Sequence, residues 1–412
     1  MQNTLFTNDN LFILYGMNSE SVDLIYLDPP FNSKRTYSAP IGSKSAGASF
    51  KDMWTWQDVD DGYLDKMIEK YPSLVRFIQS IEEIHSKGMM AYITYMTQRL
   101  IEMHRVLKDT GSIYLHCDPT ASHYLKIVLD EIFGRHNFLN EIIWCYSNSG
   151  RNKTKFTSKH DVILLYSKSE NYYWDYAVPI SEKYLNSHYR QTDANGNRCR
   201  IRIDAGKERV YYPEKGMTCN DWWTDIPSLN SVAIERTGYP TQKPLTLLKR
   251  IIEASSKPDD IILDPFCGCA TTCVAAQQLN RQWIGIDIEK QAANVLVDRL
   301  KTDAGMFSDF IHRIDTPQRT DIEQEPITTN IKERLFKEQK GCCNACSVEL
   351  EIWHFEVDHI VPRAKGGGNY YENYQLLCGN CNRVKGDRPM EYLRMKIKTR
   401  EELMKNKISF GE

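Results

Sequence analysis

Apolar runs recur along the first three quarters of this chain, and three of the four lead into a stretch of helical period. VDLIYLD (22–28) comes first. GSIYLHCD (111–118) precedes SHYLKIVLDEIF (122–133), DIILDPF (260–266) precedes TTCVAAQQL (271–279), and WIGIDI (283–288) precedes ANVLVDRL (293–300). The runs are continuous, as expected of strands buried on both faces of a parallel sheet, and their alternation with helices predicts a doubly wound α/β fold. EIIWCYS (141–147) and HDVILLYSK (160–168) have no helical pattern between them and are expected as an antiparallel pair at one sheet edge. Two stretches break the scheme. Residues 32–56 read as a mobile loop, and 169–236 are polar, aromatic and poorly periodic, an insertion outside the sheet. Residues 304–328 read as a polar linker between a first domain at 1–303 and a cysteine-bearing module at 329–412.

A chain of 412 residues has room for two or three cores, and 41% hydrophobic with 26% charged residues is ordinary for a soluble globular protein. No run approaches the roughly 18 apolar residues of a membrane span, and the first residues lack a signal-peptide pattern, so a cytoplasmic protein is expected. A net charge of −2 excludes a uniformly basic coat; contact with nucleic acid must come from local patches. Of twelve cysteines, five (Cys342, Cys343, Cys346, Cys378, Cys381) sit near the end, and two CxxC pairs without a secretion signal point to metal rather than disulfides.

Ligands of open α/β sheets bind past the carboxyl ends of the strands, where Asp28-Pro29-Pro30-Phe31 falls. The tetrapeptide offers a carboxylate, carbonyls on a backbone stiffened by two prolines, and an aromatic face. Such parts suit an exocyclic amine on a flat base: Asp28 and the Pro29 carbonyl accept its two N–H groups while Phe31 stacks. Asp264, at the end of a second buried strand, leads into Pro265-Phe266-Cys267-Gly268-Cys269-Ala270-Thr271-Thr272, a small-residue loop that lets backbone N–H groups approach a ligand. Ala270 stands where a positive φ would be awkward. Cys267, Cys269 and Cys273 read as small packed side chains rather than metal ligands. Asp287 ends the next strand, where nucleoside-binding folds commonly hold ribose hydroxyls.

In this order, DPPF, then Gly238-Tyr239-Pro240-Thr241-Gln242-Lys243-Pro244, then DPFCGCATT, then GIDI, residues 20–303 resemble the β-class amino-methyltransferases of DNA. The resemblance implies a Rossmann-like S-adenosylmethionine-dependent methyltransferase sheet. Asp264, Phe266 and Gly268 would line the donor, Asp287 would hold its ribose, and Thr241, Gln242 and Lys243 would close the pocket. Asp28, Pro29, Pro30 and Phe31 would be catalytic, acting on a base flipped from double-stranded DNA at an unstacking cost of a few kcal/mol. Geometry alone admits adenine N6 or cytosine N4; DPPF tips the resemblance toward adenine. Residues 169–236 occupy the family's target-recognition slot, with Arg190, Asn195, Asn197, Arg198, Arg200, Arg202 and Lys207 as candidate readers of bases or phosphates. Trp222 and Trp223 are expected as packing. Such enzymes often pair, so a homodimer is an expectation.

Cys343-Asn344-Ala345-Cys346 and Cys378-Gly379-Asn380-Cys381 form two knuckles suited to a closed tetrahedral zinc site, with Cys342 a spare. With Asp358-His359 between them, then Asn373, then Asn382-Arg383-Val384-Lys385-Gly386-Asp387-Arg388, residues 335–390 resemble the HNH nucleases with their ββα-metal finger. The resemblance implies His359 as general base, Asp358 and Asn382 on one catalytic Mg²⁺ or Mn²⁺, Asn373 bracing the loop, and Lys385 and Arg388 gripping phosphates. The whole then reads as a DNA methyltransferase fused to an HNH endonuclease, by analogy in restriction–modification or phage defence. The alternative is a methyltransferase whose zinc-bound module only binds DNA.

Overall fold

The structure is a computed structural model and describes residues 2–31, 35–39, 43, 45, 49–52, 54–55, 64, 67–68, 70–146, 152–175, 182–213, 219–230, 233–303, 310–388, 390, 392–394, 396–397 and 400. Among them nine strands build one sheet: β1 (Thr4–Thr7), β2 (Val22–Leu27), β3 (Leu107–Cys117), β4 (Phe138–Cys145), β5 (His160–Ser167), β6 (Trp222–Trp223), β7 (Ile261–Asp264), β8 (Gln282–Asp287) and β9 (Ile311–Arg313). Their order is β6-β4-β5-β3-β2-β7-β8-β1-β9. Only β5 runs against its neighbours, antiparallel to both β3 and β4; the other pairs are parallel. The carboxyl ends of β1, β2, β7 and β8 therefore open on one side.

Helices cover both faces, as continuous apolar strands require. Along β2, Val22, Ile25 and Leu27 enter the core on one face while Leu24 and Tyr26 enter the core on the other. The first core takes α1 (Asn10–Gly16), α2 (Pro72–Ile84), α3 (Lys87–Val106) and α4 (Ser122–Leu129); the second takes α5 (Leu245–Ser255), α6 (Thr271–Gln278) and α7 (Lys290–Asp303). No described helix is long and apolar enough to cross a membrane.

Three expectations about segments need correction. The insertion does not lie wholly outside the sheet, because Trp222 and Trp223 add β6 to its edge, with Trp223 buried and Trp222 56% exposed. Within 32–56, Arg35–Ser38 and Ser49–Asp52 pair as an antiparallel hairpin, while most of the rest lies outside the described residues. The stretch read as a polar linker carries β9 and then a bound strap. Asp321 Oδ2 accepts the Ser19 amide at 2.9 Å, Thr320 Oγ1 accepts from Asn18 Nδ2 at 2.8 Å, and the Pro317 carbonyl runs against Gly16. A Cβ at Gly16 would stand 1.9 Å from that oxygen, so only glycine admits the strap there.

A second, small unit follows. β10 (Phe355–His359) and β11 (Tyr374–Cys378) pair antiparallel, and α9 (Gly379–Lys385) continues directly from β11. With α8 (Thr329–Glu338) they bury Phe355, Leu376, Leu377, Ile331 and Leu335 in a separate core.

Candidate functional site

A cavity of about 670 Å³ opens at the carboxyl ends of the parallel strands, lined by residues 8–10, 28–31, 264–269 and 287–289, and closed by 239–243. The residues expected to be catalytic (28–31) or to bind the donor (241–243, 264, 266, 268 and 287) all lie on its wall. Asp28 ends β2, and the prolines behind it cannot extend the ladder. Its Oδ2 pairs with Lys243 Nζ at 2.6 Å, while its buried Oδ1 has no hydrogen-bond partner among the described residues. A buried acceptor left open in this way is rare in a folded protein and marks a position for a donor from outside. Lys243 Nζ also stands 5.3 Å from the Phe31 ring centre, so the 239–243 segment holds the Asp28–Phe31 tetrapeptide as well as closing the pocket.

Asp264 and Asp287 face the cavity from the next two strands. Asp264 accepts the Phe266 amide at 3.1 Å and the Thr272 hydroxyl at 2.5 Å; Asp287 accepts the amides of Gly268 at 2.8 Å and Glu289 at 2.8 Å. Burial pushes the Asp264 carboxyl up to about 7 and the Asp287 carboxyl up to about 6. Gly268 has φ +50, and a Cβ on it would meet the Tyr239 ring at 3.0 Å. Ala270 adopts φ 57 at the start of α6 despite its Cβ. Gln242 lines the cavity, but its amide is spent on Thr237 (2.8 and 2.9 Å) and the Glu235 carbonyl (2.8 Å), which hold its own turn.

Two groups of residues went unnoticed in the sequence. Asn10 Nδ2 donates to the Pro265 carbonyl at 2.7 Å and its Oδ1 is gripped by buried Arg99 at 2.6 Å, tying the start of α1 to the glycine loop. On the other side, Tyr26 Oη lies 2.9 Å from His116 Nδ1, and His116 Nε2 lies 3.1 Å from Asp161 Oδ2. Tyr146 donates to Asp161 Oδ1 at 3.0 Å. The Phe31 ring stacks on His116 at 6.1 Å. Burial opposes the Asp161 charge, but His116, the Lys243 ammonium and the Tyr146 hydroxyl together outweigh it and hold the carboxyl below its usual range. His116 and Asp118, polar residues directly after the run Ile113-Tyr114-Leu115, were the available hint.

In the insertion, Arg198–Asp204 and Lys207–Tyr211 form a hairpin that sets Arg202 opposite Arg209, both exposed, and Arg200 opposite Tyr211. Like charges directly opposed are unfavourable unless an anion joins them. Arg198 is not available as a reader. Its guanidinium holds the carbonyls of Tyr189 and Leu185 and the side chain of Asn186. Asn195 and Asn197 sit in a turn whose amides are held by Asp193, and Arg190 donates to the Asn186 carbonyl.

In the C-terminal unit the Sγ atoms of Cys343, Cys346, Cys378 and Cys381 all lie within 4.8 Å of one another, with Cys346 and Cys378 at 3.9 Å. A tetrahedral zinc with Zn–S of about 2.3 Å sets its sulfurs about 3.8 Å apart, so the four thiols fit that ion. Cys342 stands outside the cluster. Asn373 is buried and braces the loop, accepting the Val361 amide at 2.8 Å and donating to the carbonyls of Val361 and Gly368. His359 Nε2 meets Asn369 Oδ1 at 2.9 Å, a partner the sequence did not disclose. Lys385 is a correction. It is fully buried and pairs with Asp358 at 3.0 Å while donating to the His359 carbonyl, so it cannot grip phosphate. A buried ammonium requires such a partner. Gln375 also donates to Asp358, and Asn382 donates to Glu356. Arg388 is exposed, lying over Tyr392.

Residues 22–298 match the DNA methylase family of N6 and N4 amino-methyltransferases, and residues 343–388 match the HNH endonuclease domain. The chain belongs to this DNA methylase family and carries an HNH domain behind it. It is similar to the type II methyltransferase M.EcaI of Enterobacter cloacae, 28% identical over 76% of this chain and 72% of that one. It is also similar to the DNA adenine methyltransferase YhdJ of Escherichia coli, 28% identical over 72% of this chain and 82% of that one. Among solved structures, the cytosine-N4-specific PvuII DNA methyltransferase aligns at 15% identity with a TM-score of 0.45, covering 75% of this chain and 88% of the other.

Proposed function

We propose that this DNA methyltransferase moves the methyl group of S-adenosylmethionine to N6 of an adenine flipped out of double-stranded DNA. The observation that carries the reading is Asp28, which lines the cavity beside Phe31 and the two further acids Asp264 and Asp287 and whose buried Oδ1 has no hydrogen-bond partner among the described residues. An amine lone pair delocalised into a ring is a poor nucleophile and must be aligned rather than strongly deprotonated. Asp28 Oδ1 accepts one N–H, the Pro29 carbonyl a second, and Phe31 holds the base plane. Lys243 keeps the carboxylate in place from its other oxygen. A sulfonium donor supplies an electrophilic methyl group and also carries an ammonium, and two buried acids with raised pKa values suit a cationic guest. Asp264 meets its amino-acid end, Asp287 its ribose, and Gly268 with Phe266 and Thr241 the nucleoside. Adenine is favoured because YhdJ is a DNA adenine methyltransferase. Exposure of unmethylated plasmid to protein and donor, followed by nucleoside analysis, tests the base.

For the C-terminal domain we infer phosphodiester hydrolysis with His359 as the base and the four thiols on zinc, in a restriction–modification or phage-defence setting. A second reading, a zinc-stapled module that only binds DNA, has one observation in its favour. Asp358 already has its charge met by Lys385, so Asp358 and Asn382 fit a divalent Mg²⁺ or Mn²⁺ only if that ion pair opens. Cleavage assays across divalent metals separate the two.

A further inference from the structure

We propose that Tyr26, His116 and Asp161 form a proton exit from the methyl-transfer site, resting on the reading of Asp28 given above. When the amine nitrogen gains a methyl group, the new N–C bond forms as the C–S bond breaks, and the electron pair stays on sulfur. One N–H proton must then leave the nitrogen. Asp28 is tied to Lys243 and is held to orient the amine; a proton parked there would have to pass the ammonium to escape. Tyr26 lines the same cavity, two residues before Asp28.

The hydrogen bonds fix the direction of the chain. Asp161, ionised and 14% exposed, accepts from His116 Nε2–H, which leaves Nδ1 with a lone pair. Nδ1 can then only accept, so the Tyr26 hydroxyl donates to it and turns its oxygen lone pairs away from the ring. A proton taken up at Tyr26 Oη moves the hydroxyl proton to His116 Nδ1, and the imidazolium is balanced by Asp161, whose exposed edge returns the proton to solvent. His116 is otherwise sealed. Phe31 stacks on it at 6.1 Å and Trp144 meets it edge-on at 5.7 Å. The charged and titratable groups around this chain are Asp28, Lys243 and Asp264 on the cavity side, and Tyr146 and Asp118 beside Asp161. A network kept only for packing would not need a carboxylate at its solvent end.

The test compares wild type with Tyr26→Phe, which removes one oxygen from the wire, and Asp161→Asn, which removes the charge that sets the tautomer. Single-turnover transfer of tritiated methyl to unmethylated plasmid is measured across pH, with calorimetric binding of S-adenosylhomocysteine to the DNA-free protein as a readout independent of transfer. Both variants are expected to bind S-adenosylhomocysteine within about twofold of wild type and to transfer methyl on the order of 10²-fold more slowly. The wild-type rate is expected to fall toward acid, and that fall is expected to vanish in Tyr26→Phe. A packing role would lower the rate equally at every pH and leave that limb in place, overturning the proposal. Tyr26→Phe at the wild-type rate would overturn the relay alone, whereas a wild type that transfers no methyl at any pH would overturn the reading of Asp28 with it.

Discussion

Lys243 joins what the sequence separates by more than two hundred residues, one oxygen of Asp28 being held by it while the other is buried with no hydrogen-bond partner among the described residues. The neighbouring acids carry a pH dependence of stability that can be signed. Asp264 and Asp287 have folded pKa values of about 7 and about 6, above the ordinary carboxylate range near 4, because burial penalises their charge. Their contribution to folding is intact below about pH 4 and is lost as pH rises through 6 and 7. Asp264→Asn should flatten the fall in melting temperature between pH 5 and 8 in the ligand-free protein; an unchanged slope would show the carboxyl already ionised. Phe31→Ala should weaken the complex with DNA and slow transfer while leaving donor affinity intact, since base stacking is worth roughly 1–3 kcal/mol. A DNA-binding titration beside a donor titration checks both halves. Asp28, Asp264 and Asp287 were legible because each ends an apolar run, where chemistry belongs in a parallel sheet. His116 was not, since a histidine inside a buried strand gives no clue to the partners that neighbouring strands bring to it.

At the scale of elements, periodicity exposed the strands and helices that are long and buried on both faces. It failed where an element owes its existence to a neighbour. Two-residue β6 forms because β4 offers an open edge, and β9 forms because β1 does, so neither needed a pattern of its own. The same logic explains Lys385: a lysine in a run of basic residues reads as solvent-facing until β10 places Asp358 beneath it. The zinc knuckles were legible because ligand spacing is local. The small core around Phe355 and Leu376 is too slight to stand without its staple, and structural zinc in finger peptides contributes about 10–16 kcal/mol. Cys378→Ser should therefore lose zinc by elemental analysis and lose amide protection across 343–388, with the methyltransferase sheet unaffected. Loss of protection in both units would mean that the strap transmits the damage.

Over the whole molecule, residues 316–325 touch both units. Beyond the contacts with Asn18 and Ser19, Gln324 accepts at 2.8 Å the backbone amide of Asn369, whose side chain meets His359, and the Glu325 carbonyl accepts from Tyr374 at 2.7 Å. His359→Ala should abolish DNA cleavage in Mg²⁺ or Mn²⁺ while zinc content and methyl transfer stay at wild-type levels. A wild type that leaves DNA intact across divalent metals would favour the binding-only reading, in which Asp358 serves Lys385. Unmethylated plasmid is incubated with S-adenosylmethionine and either wild type or Asp28→Ala, then digested to nucleosides and analysed by mass spectrometry. Wild type is expected to produce N6-methyladenine and Asp28→Ala none, with S-adenosylmethionine affinity of the variant within a few-fold of wild type. N4-methylcytosine in place of N6-methyladenine would contradict the choice of base, and full transfer by Asp28→Ala would contradict the site itself.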